Sequence, residues 1–172
     1  MNAIDILKYG HRTVLNTIDD LPESEWQTNG VCGVWSVKDI ISHLASFEHI
    51  LVEVLNLFLG GGSTPLLDRM VAEGDRFNDN WVAENKNKTG AELLAEYNQA
   101  QARVMSLVVQ IPPETLHQPG TLPAYGREYA LDDFIVYSYY GHKREHSAQI
   151  AVYRDRLAEE ALSPVEETPA AS

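Results

Sequence analysis

Apolar residues recur along this chain at three- and four-residue intervals, in long stretches separated by breaks rich in proline and glycine. Ile4, Leu7, Val14, Leu15 and Ile18 make the first stripe, and His11 falls inside it, so the spacing turns that imidazole inward. Asp19-Asp20-Leu21-Pro22 ends the helix, because proline disfavours helical geometry at the residue before it. The turn residues Asn29-Gly30 and Gly33, with Trp26, mark residues 23–34 as a loop. A second helix then opens at Ser36, an N-cap whose partner three residues on is Asp39. Ile40, Ile41, Leu44, Phe47, Leu51, Val54, Leu55 and Phe58 form its broad apolar face, with His43 pointing inward among them, and Gly60-Gly61-Gly62 stops it.

Residues 65–88 show only partial periodicity, broken at Gly74, which predicts one or more short helices in a long crossover. Thr89-Gly90-Ala91-Glu92 is a capping box that starts the third long helix, and Pro112-Pro113 ends it. After a loop carrying Pro119-Gly120, Pro123 and Gly126, the last helix is predicted from near Leu131 to about Leu157. Strand-like alternation and internal repeats are missing from the sequence. The expected fold is all-α, a four-helix bundle over residues 1–158, followed by an acidic, Ala- and Pro-rich tail over 159–172 that is expected to be disordered.

Composition narrows the function. A chain of 172 residues buries a sizeable core without staples, so a metal here reads as functional rather than as a folding requirement. The net charge of −12 argues against nucleic acids and anionic membranes as partners, since both need a basic patch. No apolar run is expected to reach membrane-spanning length, and the first residues lack a signal-peptide pattern. One cysteine, Cys32, suits a reducing cytoplasm.

The chemistry concentrates in histidines. His142 and His146, four residues apart, share one helix face with their Cβ atoms about 5–6 Å apart, within reach of one ion. His43 is the best third ligand, since its helix also projects it into the core, where bundles build metal sites. Three neutral imidazoles leave a coordination position open, as in catalytic rather than structural zinc. His11 is a fourth ligand, an outer hydrogen-bond donor or a core residue, the last two being favoured; His49 and His117 read as surface residues. His142 to His146 also spells H-x-x-E-H, in which Glu145 would be a general base, but the downstream acidic ligand of that protease class has no counterpart. Glu145 is therefore a candidate base or a bystander. A paired Glu-x-x-His di-iron site is set aside, because the one such unit, Glu114 to His117, lies in a loop. Trp35, Trp81 and Tyr139 are candidates for lining a pocket, with ordinary core packing as the plainer reading. Lys143 and Arg144 read as solvated.

On the run Trp35 to Leu44, and on His142 and His146 followed by Ala148-Gln149-Ile150, the chain resembles the DinB-like superfamily over roughly residues 1–158. Asp75-Arg76-Phe77-Asn78 and Trp81 are similar to its DfsB/ClbS-like and maleylpyruvate-isomerase-like branch. The resemblance implies an up-down-down-up bundle with a long crossover between its second and third helices, a homodimer, and zinc or nickel on His43, His142 and His146. It implies an activity among hydrolases, transferases or isomerases that use low-molecular-weight thiols, and drug-resistance proteins. The sequence therefore predicts a metal-dependent enzyme acting on a small electrophile, ahead of a non-catalytic protein that sequesters a metal or small molecule, and ahead of a purely structural helical protein.

Overall fold

A computed structural model describes residues 2–162, and among them the chain is helical with no strand; Cys32 and Trp35 form one isolated bridge. The long helices are α1 (Ala3–Ile18), α2 (Val37–Phe58), α5 (Gly90–Val108) and α8 (His142–Leu162). The crossover holds α3 (Pro65–Glu73) and α4 (Phe77–Asn85), separated where Gly74 takes φ +55°. Short α6 (Pro113–Leu116) and α7 (Leu131–Ile135) precede α8. α2 packs along α5, and α1 along α8.

The predicted starts hold for local reasons. Ser36 Oγ accepts from the Asp39 N–H at 3.2 Å while the Ser36 N–H donates to Asp39 Oδ2 at 2.9 Å, and Thr89 and Glu92 make the same reciprocal pair. At α3 the cap comes from another helix. Glu53 of α2 accepts from the Leu66 and Leu67 N–H groups at 2.9–3.1 Å, which docks the crossover onto α2.

The last helix departs from a plain α-helix. Between α7 and α8, residues Val136–Gly141 form a π-turn. Leu131, Ile135, Tyr139, Lys143 and Ser147 are all buried at strict four-residue spacing. An α-helix of 3.6 residues per turn would carry such a series off the core face, and the wider π-turn keeps it in phase. Lys143, expected to be solvated, is thereby 2% exposed. α8 also runs to Leu162, past the boundary drawn at residue 158, and the rest of the expected tail lies outside the described residues.

A second expectation needs correcting. α2 is long and apolar enough, by length and composition, to cross a membrane. Its most apolar window is 67% buried, against α5 and α4 among others, so that surface is already covered by its own chain.

The core has two apolar halves, one around Leu7, Leu51, Val104 and Ile135, the other around Val14, Ile41, Tyr97 and Ile150. Between them every long helix contributes a polar group: His11, Glu48, Gln101, Lys143 and His146. Lys143 Nζ lies 2.6 Å from Glu48 Oε1 and donates to Gln101 Oε1 at 3.0 Å. Glu48 is 0% exposed, and neither of its oxygens has a well-angled hydrogen bond, so charge holds the pair. Tyr97 and Tyr139 feel that carboxylate: burial first, then the Glu48 charge, pushes both phenols well above their ordinary range.

Candidate metal centre

The three histidines come together at one side of this polar layer. His43 lies two turns into α2, and His142 and His146 occupy the first turns of α8, directly after the π-turn. His142 Nε2 is 2.8 Å from His43 Nε2 and 2.9 Å from His146 Nε2. His43 and His146 are buried and His142 is half-buried. The trio expected from the sequence is thus a physical cluster, and three histidines so placed can hold a metal ion.

Their surroundings orient the rings. His146 Nδ1 donates to Gln149 Oε1 at 2.8 Å, which leaves the Nε2 lone pair facing the cluster. His43 has no such partner: its Nδ1 is buried without a hydrogen bond, and packing holds its ring. Trp35 and Phe47 each lie 4.9 Å from it, and Phe47 also sits 4.5 Å from His142. Trp35 is itself pinned by the bridge to Cys32 and by its indole N–H, which donates to Asp79 Oδ1 at 3.1 Å.

The donor set suits a cation. Burial first, and then the neighbouring imidazoles, lower the His43 pKa to about 2; burial, His146 and Lys143 lower that of His142 to about 3. His146 is lowered by burial, partly offset by Gln149 and Glu145. All three offer unprotonated nitrogen at neutral pH. Zinc binds imidazole nitrogen at about 2.0–2.1 Å in a tetrahedron, which sets neighbouring ligand nitrogens about 3.3 Å apart. The 2.8 and 2.9 Å separations are about half an ångström shorter, and the ligand nitrogens of all three lie within 4.8 Å of one another, so loading an ion requires the rings to rotate into a common tetrahedron.

These depressed pKa values predict acid lability of the chelator-treated protein. As pH falls below about 6.5 the unfolded chain protonates His43 and His142, whereas the folded chain does not until about 2 and 3. Stability is therefore complete above about pH 6.5 and drains as pH falls through that window. Between about pH 7 and pH 5 the loss is about 2 kcal/mol per histidine, roughly 4 kcal/mol for the two. Denaturant titrations at the two pH values check this, and equal stabilities would contradict it.

The other candidates fall elsewhere. His11 stands apart from the cluster, its ring 4.9 Å from Tyr97, with burial foremost lowering its pKa to about 4. Glu145 is exposed and makes no hydrogen bond to the three imidazoles among the described residues. Tyr139 is buried and packs against Phe47 at 6.3 Å. Trp81 donates to the Ser42 carbonyl at 3.0 Å and packs on Phe77 and His49 rather than on the cluster. His49 is half-buried, 3.2 Å from Glu96, and His117 is exposed, 2.7 Å from Asp132. Phe47 and Gln149, which the sequence places only in an apolar face and beside His146, and Glu48 gain their roles around the cluster from the fold. Glu48 carried a signal, since it falls on the apolar face of α2, four after Leu44 and three before Leu51.

An all-helical scaffold that gathers three histidines of low basicity defines a helical protein with a candidate metal centre. The chain belongs to the DinB superfamily, whose family profile matches residues 6–150 and so spans all three histidines. No curated protein and no solved structure shows a significant match.

Proposed function

We propose that this protein is a divalent-metal-dependent enzyme, a hydrolase or a low-molecular-weight-thiol transferase or isomerase, acting on a small electrophilic molecule at His43, His142 and His146. The observation that carries this reading is the convergence of three Nε2 atoms, neutral at working pH, at a half-open edge of the core. Zinc or nickel bound there supplies Lewis acidity toward a carbonyl oxygen or a thiol. The rest falls to the chain. Gln149 keeps the His146 Nε2 free of its proton, Trp35 and Phe47 screen the rings from water, and the Lys143–Glu48 pair holds the turn of α8 that carries His142. The four long helical segments are read as an up-down-down-up bundle. A homodimer is carried over from the family resemblance, and a cytoplasmic setting rests on the lone cysteine.

The test is metal removal and return. Protein stripped by chelator, then reloaded with zinc or nickel, is assayed on a panel of activated esters and on electrophiles paired with small thiols. Turnover is expected only after reloading. Binding without turnover across the panel would replace catalysis with sequestration at the same histidines.

A further inference from the structure

Next to the histidine cluster is a cavity of about 270 Å³, bounded by α2, α3, the loop before α7, and α7 with the π-turn that follows it. Val54, Leu67, Met70, Phe134 and Tyr139 supply much of its wall, and no charged side chain lines it; the hydroxyl-bearing residues of its lining are Ser138, Tyr125 and Tyr139. Neither it nor a larger cavity of about 410 Å³ around Leu15, Trp26 and Leu94 is lined by the three histidines, but only the smaller one shares a wall residue that packs on them.

Phe47 joins the smaller cavity to the cluster. One ring lines the cavity and also packs 4.5 Å from His142 and 4.9 Å from His43. The aromatic series continues from it: Tyr139 at 6.3 Å, then Phe134 at 5.3 Å, then Tyr125 at 4.9 Å, near the cavity's outer wall. Phe47 is half-buried, so a single ring that is not sealed within the core separates the cavity from the cluster. The roof is fixed, because Glu53 caps the first N–H groups of α3.

We infer that this cavity receives the neutral hydrocarbon part of a substrate whose reactive polar end lies at the histidines. The inference deepens the metal-site reading and rests on it. Walls without charge strand an ionised group, and a chain of net charge −12 repels anions, so a neutral alkyl or aryl group fits and a fatty carboxylate does not. An apolar cavity of about 150 Å³ holds one benzene ring, so this one takes roughly eight to ten carbon atoms.

Straight-chain alkyl hydroxamates test the idea, since the head group binds a metal ion and the tail probes the cavity. On zinc-loaded protein, calorimetric affinity is expected to rise about fourfold per added methylene from acetohydroxamate onward, levelling off at roughly eight to ten carbons. Ala124 is exposed at the cavity's mouth, so Ala124→Trp fills space without disturbing the core. That variant should flatten the chain-length series and leave acetohydroxamate binding unchanged. A flat series on zinc-loaded wild-type protein, or a slope that survives Ala124→Trp, overturns this inference while the metal site stands. Failure of the wild-type protein to bind zinc removes the metal reading and this inference together.

Discussion

Replacing Lys143 with methionine is expected to lower the stability of the fold by about 3–5 kcal/mol, a large share of what a domain of this size has. Methionine matches much of the lysine volume, so the loss measures the charge left behind rather than a cavity. Glu48 is fully buried 2.6 Å from Lys143 Nζ, and no other cation is paired with it among the described residues. Gln101 would lose its donor from Lys143 as well. Removing both charges, as Glu48→Leu with Lys143→Met, should recover most of the stability, because the desolvation of two ions is then no longer required. Denaturant unfolding of the single and double variants near pH 7 measures this. A Lys143→Met protein within about 1 kcal/mol of wild type would show that the pair is solvated in solution.

The same pair marks where the sequence stops being legible. Helix periodicity, the two capping boxes and the Pro/Gly breaks located the long helices, because each is a local signal that packing then reinforced. The cluster was legible for the same reason: His43 sits in an apolar face, and a four-residue spacing puts His142 and His146 on one side of a helix. The π-turn was not legible. Over Leu131 to Ser147 an ordinary helical stripe turns Tyr139 and His142 inward and Lys143 outward, and only the widened turn rotates Lys143 into the core. Gly10 belongs to the same arrangement. A Cβ there would meet Lys143 Cδ at 3.1 Å and Tyr140 Cδ2 at 3.3 Å, so its lack of a side chain lets α1 approach the turn. Such packing depends on which helices are neighbours, which local spacing does not encode. The cavity beside Phe47 was hidden likewise, since its walls come from four parts of the chain.

The second large effect concerns the histidines themselves. His43→Ala deletes one of three converging nitrogens, and with it the only contribution from α2. Loss of a residue that merely supports a metal ligand costs about 10–100-fold in affinity, so loss of a ligand itself should cost more than about 100-fold. In the metal-free state the change also removes ring packing against Trp35 and Phe47 and the Nε2 contact with His142, so the helical content and unfolding midpoint of the stripped variant are measured alongside its zinc affinity. His117→Ala is the control: that histidine is exposed and paired with Asp132, away from the cluster.

The decisive measurement is a competition titration of zinc against a chromophoric chelator for the wild-type, His43→Ala and His117→Ala proteins near pH 7. One tightly held zinc per chain is predicted for wild type and for His117→Ala, with affinity reduced more than about 100-fold in His43→Ala. Zinc held as tightly by His43→Ala as by wild type, or by none of the three proteins, would contradict the assignment of His43, His142 and His146 as a metal centre.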